Sequence, residues 1–319
     1  MNGGEQMPRD DQDGVTQGSG PRFTWPDGAA FACVLSFDVD AESAVLQVDP
    51  KYATHATLMS HQAYGPRVGV PRLLEQLRRA DVKATFFVPG FTAECYPDTI
   101  RQIAADGHEV GWHGYLHELP HELPVAEQCS IIERAAEVLE PLTGRRPVGY
   151  RAPWWQLSLE SPELLAAAGF TYDSSLMDDD VPYLLDTDAG TLVELPVHWS
   201  FDDWEQYGFF IDPPLGDSLE PPSKLLEIWT DEMEAFREEG CLQILTMHPF
   251  LSGRPARSRS IGKLVRFARE LGGVWFASAE EVAQHARSVL DDASARRLRS
   301  ALHPEYGKRD QPTLRDRPT

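Results

Sequence analysis

The sequence predicts an α/β fold: a single domain with a closed or nearly closed (β/α) barrel, an open doubly wound sheet being the alternative. Three observations predict it. Short β-rich runs alternate with helical stretches, giving about seven strand–helix units and hence a parallel sheet. The 319 residues suit one barrel of roughly 250 residues with tails. The chemically interesting polar residues fall just after the apolar runs, where a parallel barrel carries its active residues.

Each element has its own warrant. Ala29–Phe37 is a continuous apolar run rich in β-formers and reads as a buried strand. Val70–Ala80 is an amphipathic helix with Leu73, Leu74 and Leu77 on one side. Lys83–Val88 is a strand stopped by Pro89-Gly90, and Asp98–Asp106 a helix ended by Gly107. His108–Trp112, Val148–Arg151, Phe170–Tyr172, Thr191–Leu195, Cys241–Met247 and Gly273–Phe276 read as further strands. Pro124–Leu142, Pro162–Ala168, Lys224–Glu239, Ser260–Leu271 and Ala279–Leu290 read as helices.

Composition narrows the class. Asp and Glu outnumber Lys and Arg by 50 to 29, a net charge of −21, which repels phosphate backbones and argues against nucleic acid. Cys33, Cys95, Cys129 and Cys241 form no CxxC pair, and Cys33 and Cys241 sit in apolar runs as small hydrophobes. The first residues are polar, acidic and Gly-rich, with no apolar signal core and no stretch of about 20 apolar residues. The expectation is a cytoplasmic enzyme without membrane association: a disordered leader over 1–22, a catalytic barrel over 23–290 and a frayed tail over 291–319.

Five segments carry candidate chemistry. Asp38 and Asp40 close the first strand, two residues apart and so on one face. Paired carboxylates need a cation or a proton between them; a metal on one leaves the other as a general base. His113 and His117 are four apart, which on a helical turn aims both imidazoles the same way. Two imidazoles and a carboxylate form a metal site with positions open for water and substrate. His108 and His121 are left outside it, His121 because Pro120 breaks the phase. In Gly149-Tyr-Arg151-Ala-Pro153-Trp154-Trp155, Arg151 is placed to pair with Asp38 and Pro153 to stiffen the loop. One Trp is expected to wall a substrate pocket and the other to fill core. His248 directly follows a buried strand, placed to protonate a leaving nitrogen. The segment Glu194–Trp204 suits a pocket rim: Trp204 contributes to it, and Asp202 or Asp203 sets the tautomer of a catalytic His.

Taken in order, these motifs resemble the polysaccharide deacetylase family, carbohydrate esterase family 4, over roughly Ala29 to Ala286. The resemblance implies a distorted (β/α) barrel of about seven parallel strands. It implies Asp38 as general base, Asp40, His113 and His117 as metal ligands, Arg151 and Pro153 as the third motif, and His248 as general acid. The first motif departs from the family pattern, since Val39 separates the two acids and Ala41-Glu42 follows. The phrases GVPRLL, ATFFVPG, GHEVGWHGYLHE and GYRAPWW look closer to a subgroup of peptidoglycan-deacetylase-like proteins and cyclic-imide hydrolases, with allantoinase-like relatives. The expected activity is metal-dependent hydrolysis of a non-peptide C–N bond in a small cyclic imide, amide or N-acyl substrate. An N-acetyl-sugar deacetylase acting on an oligosaccharide is the alternative, and a non-catalytic carbohydrate-binding barrel the second. Trp154, Trp155, Pro153 and Trp204 are the expected substrate contacts. Zn is the expected metal, with Co, Mn, Ni and Fe compatible with the same ligands. The resemblance also implies a homo-oligomer.

Overall fold

The computed structural model describes residues 22–298. Nine strands form one sheet: β1 Phe31–Asp38, β2 Thr85–Val88, β3 Glu109–Trp112, β4 Gly149–Tyr150, β5 Tyr172–Asp173, β6 Tyr183–Thr187, β7 Gly190–Glu194, β8 Leu242–Met247 and β9 Val274–Phe276. Their order is β6-β7-β5-β4-β3-β2-β1-β8, with β9 also on β1. Every pairing is parallel except the β6–β7 hairpin. No continuous ladder joins β7 to β8. Instead the Leu242 N–H donates to Asp180 O at 2.8 Å and the Asp203 N–H to Thr246 O at 3.0 Å. The sheet thus curls into a barrel that is distorted along this seam.

All eight residues of β1 are buried, as a central parallel strand covered on both faces requires. Phe37 stacks on Phe86 of β2 at 4.8 Å. The helix Val70–Ala80 has the expected bounds and buries Leu73, Leu74 and Leu77. Gly149 has room only for hydrogen, because a Cβ there would lie 2.0 Å from the Tyr172 ring. That close approach lets the Tyr172 hydroxyl donate to the fully buried Glu109 at 2.6 Å. Glu109 also accepts from the Thr85 hydroxyl at 2.7 Å and from the Glu280 N–H at 2.9 Å, at the start of the helix Ala279–Val289. The N-terminal end of the barrel is therefore a satisfied polar plug, and chemistry is left to the opposite end.

Three features differ from the sequence reading. The stretch Ser43–Gly69, for which the pattern predicts no element, is largely helical and leads straight into Val70–Ala80. The strand β6 is an addition, joined to β7 by a tight turn at Asp188-Ala189. Residues 291–298 of the expected frayed tail lie against β6, where the Arg296 N–H donates to Leu184 O at 2.7 Å and Arg296 O accepts from the Asp186 N–H at 2.8 Å. Arg296 also pairs with Asp179, which Arg22 holds from the other terminus at 2.6 Å. The rest of the expected leader and tail lies outside the described residues. Among those described, no helix is long and apolar enough to cross a membrane.

Candidate active site

At the C-terminal end of the strands, Asp38, Asp40, His113, His117, Asp202 and His248 line one cleft of about 390 Å³ of empty space, part of it open to solvent. Asp38 is the last residue of β1. Asp40 lies two residues on, past Val39, whose N–H still bonds to Phe87 O at 2.9 Å, and the chain turns away just after it, with Ala41 at φ 51°. The expected helical turn carrying His113 and His117 is absent. His113 follows β3 and His117 sits in an irregular loop at φ 65°, after Gly114 at φ 73°. These left-handed residues reverse the chain sharply enough to bring both rings back over β3, with ring centroids 4.9 Å apart.

The three expected ligands meet. Asp40 Oδ1 lies 3.4 Å from His113 Nε2 and 3.7 Å from His117 Nε2. Ligand atoms around a tetrahedral ion with bonds of about 2.0–2.2 Å lie roughly 3.3–3.6 Å apart, so the spacing fits. The protonation pattern fits as well. His113 Nδ1 donates to Arg151 O at 2.8 Å, which leaves the Nε2 lone pair facing Asp40. Burial pushes His113 down to about 3 and drives His117 well below its usual range. Both rings are neutral, and Asp40 Oδ1 is buried with no hydrogen-bond partner. Burial, with Asp38 and Asp203 adding to it, pushes the Asp40 carboxyl up to about 7. Two imidazoles and a carboxylate converging on one point suit a divalent cation, whose charge would reverse the strain on Asp40.

Asp38 is held differently. Arg151, fully buried, donates through Nη1 to Asp38 Oδ1 and to Ser36 Oγ, each at 2.9 Å. Its guanidinium lies 4.2 Å over the Phe87 ring. Nε and Nη2 donate to Ser174 O and Oγ at 3.2 Å. Ser174 rests on a buried acidic platform: Glu194 accepts the Ser175 and Leu176 N–H groups at 3.0 and 2.9 Å, and Asp173 accepts the Ser175 hydroxyl at 2.8 Å. Asp173 and Glu194 are register partners in β5 and β7. Burial raises both, and one oxygen of each is buried with no hydrogen-bond partner; a proton held by the pair would ease the repulsion between them.

His248 follows β8. Its Nδ1 lies 2.8 Å from Asp203 Oδ1 and 3.4 Å from Asp202 Oδ1, and its Nε2 faces the cleft 3.7 Å from Asp40 Oδ2. Asp203 is fixed in turn by the His248 N–H at 3.0 Å and by the Ser252 hydroxyl. Burial opposes charge on His248, but Asp202 and Asp203 outweigh it and raise the ring to about 10. The cleft thus holds an arginine-paired carboxylate, a three-donor ligand set and a charged imidazole.

Residues 63–172 match the sequence pattern of the polysaccharide deacetylase family. A peptidoglycan deacetylase of Helicobacter pylori is 30% identical over 254 residues, covering 70% of this chain and 86% of that protein. The chain belongs to the polysaccharide deacetylase family. A solved Mycobacterium smegmatis structure assigned to the polysaccharide deacetylases is 45% identical, covers 89% of this chain and 98% of its own, and superposes with a TM-score of 0.85. An allantoinase structure, 23% identical with a TM-score of 0.75, covers 89% of this chain and 99% of its own and shares the fold.

In this deacetylase-family barrel, Trp154, Trp155, Trp199, Trp204 and Glu205 wall the cleft mouth. Both Trp154 and Trp155 line it, so neither is merely core. They have φ values of 55° and 53°, conformations that cost about 1–3 kcal/mol each and persist where the surroundings impose them. Pro153 does not line the cleft; it packs behind Gly114, where a Cβ would meet it at 3.2 Å, and so stiffens the His-bearing loop. His198 also lies outside, bonded to Ser200 Oγ at 2.8 Å. Trp199 lies within the segment Glu194–Trp204 expected to form a pocket rim, although it was not singled out; Glu205, one residue beyond that segment, was missed as a lining residue. It missed Asp173 and Ser174 entirely, because nothing in their local sequence marks contact with Arg151.

Proposed function

We propose that the protein is a divalent-metal-dependent hydrolase that opens the C–N bond of a small cyclic imide, amide or compact N-acyl substrate. The observation that carries the reading is the buried, donor-free meeting of Asp40, His113 and His117 beside a separately held carboxylate and a charged imidazole. A cation held by the three ligands supplies Lewis-acid polarisation of the scissile carbonyl and acidification of the attacking water. Asp38 Oδ2, the oxygen Arg151 leaves free, takes the water proton. His248 gives its Nε2 proton to the departing nitrogen, and Asp203 on Nδ1 fixes that tautomer. Zn remains the expected ion.

The indole-walled mouth supports a compact substrate over a polymer. The alternative, an N-acetyl-sugar deacetylase, is favoured by the Helicobacter relative, a peptidoglycan deacetylase matched over most of its length. A carbohydrate-binding barrel has no use for the full set of acids and imidazoles. Two substrates separate the readings: succinimide, followed by loss of imide absorbance, and a chito-oligosaccharide, followed by acetate release. Imide turnover that chelator abolishes and metal restores supports the first reading. Acetate release without imide turnover replaces it with the second. The cytoplasmic location and the homo-oligomer belong to the same proposal and are checked by cell fractionation and size-exclusion chromatography.

A further inference from the structure

The bond-breaking chemistry above uses the floor of the cleft and gives the wall above it no role beyond limiting substrate size. That upper wall, the rim of the cleft, is one-sided in character: the half-buried Trp154, the exposed Trp199 and the exposed carboxylate of Glu205, backed by the buried Trp155 and by Trp204, which is buried and stacked on Phe210. The indoles stand in two pairs, Trp154 against Trp204 edge to face at 5.1 Å and Trp155 tilted on Trp199 at 4.6 Å. Two consecutive residues of this wall, Trp154 and Trp155, hold left-handed backbone, so the rings are presented by imposed geometry. Deeper in, Asp38 is paired with Arg151 and Asp203 with His248, Asp40 belongs to the ligand set, and Asp202 is a further buried carboxylate on the lining, 3.4 Å from His248 Nδ1. Among the described residues, Glu205 has no such match and no Lys or Arg lines the cleft.

Resting on the amide-hydrolase reading, we infer that this rim is a cation subsite, and that the substrate is an N-acylated amine keeping a second, positively charged nitrogen beyond the scissile bond. The electron-rich faces of indoles attract an ammonium group. The free carboxylate of Glu205 adds its charge at the entrance, where it steers cations inward and turns anions away. A neutral flank gains only apolar contact there, and an anionic one meets repulsion with no compensating donor. Rim residue Glu205 is thus a specificity determinant, and it takes no part in the bond-breaking step.

The test isolates charge from shape. Tryptophan fluorescence of the metal-loaded protein is titrated with tetramethylammonium and with tert-butanol, its neutral counterpart in shape. Tetramethylammonium is expected to bind roughly tenfold tighter or more. Glu205→Gln, a change at an exposed side chain, is expected to weaken it roughly fivefold and leave tert-butanol unchanged. Equal binding of the two probes, or ammonium binding indifferent to Glu205→Gln, overturns the inference. Turnover separates it from the reading beneath it: monoacetylated 1,4-diaminobutane is compared with N-butylacetamide. A preference of roughly tenfold in kcat/KM for the charged amide, reduced by Glu205→Gln, is expected. Hydrolysis of both at equal kcat/KM overturns the subsite and keeps the amide hydrolase. Ammonium binding with neither these amides nor succinimide cleaved keeps the subsite and overturns the amide-hydrolase reading.

Discussion

Two buried clusters in this barrel are built from the same residue types and come out with opposite chemistry. Asp40, His113 and His117 form one; Asp202, Asp203 and His248 form the other. The first has two imidazoles for one carboxylate, and His113 already donates its Nδ1 proton to a main-chain carbonyl. Burial then keeps both rings neutral, with His113 near 3. The second has two carboxylates for one imidazole, and the ring rises to about 10. Burial is common to both, so it does not decide the role. The ratio of acids to imidazoles and the identity of the Nδ1 partner decide it: one cluster offers lone pairs to a cation, the other holds a proton to give away.

The largest effect is expected from breaking the ligand cluster. His113→Ala should lose both metal and turnover, measured by elemental analysis and by hydrolysis of the identified amide. Retained metal with full activity contradicts the assignment. Asp38→Asn should keep the metal and lose about 10²–10⁴-fold in kcat, because only the proton acceptor is gone. Asp203→Asn sharpens the comparison from the other side. It should cost about 10–100-fold and move the alkaline limb of the pH–rate profile to lower pH, since His248 loses an acid that holds its charge. An unmoved limb would show that Asp203 acts only as a structural prop.

The smallest effect concerns the platform under Arg151. Asp173, raised to about 6, and Glu194, raised further, keep a proton in the folded state that the unfolded chain releases at lower pH. The folded state then binds more protons, so stability from the pair is present at low pH and lost as pH rises through about 6 and beyond. Asp173→Asn supplies a permanent donor and should flatten that slope in urea melts taken between pH 5 and 9. A slope identical to wild type would mean the pair shares no proton.

Much of this was legible in the sequence, for identifiable reasons. The run Phe31–Asp38 and the leucine stripe of Val70–Ala80 carry periodicities that survive any tertiary context. The positions of Asp38, His113, Arg151 and His248 just past apolar runs follow from parallel-barrel architecture. Less legible was geometry set by single backbone conformations. The four-residue spacing of His113 and His117 suggests a helix, yet Gly114 and the left-handed His117 bring the rings together through an irregular loop. The choice between Asp202 and Asp203 is invisible in one dimension; it is made by the Asp203 N–H bonding to Thr246 O beside His248. The β6–β7 hairpin had a signal, the Asp188-Ala189-Gly190 turn between apolar runs, that a reading tuned to strand–helix alternation passes over.

The most direct test is a metal titration of the stripped wild-type protein alongside His113→Ala, with Zn binding and amide turnover followed together. One ion per wild-type chain, with activity rising in step with occupancy and neither seen in the variant, is the predicted result. Undiminished turnover by the stripped wild-type protein, or equal Zn binding by His113→Ala, would contradict the account.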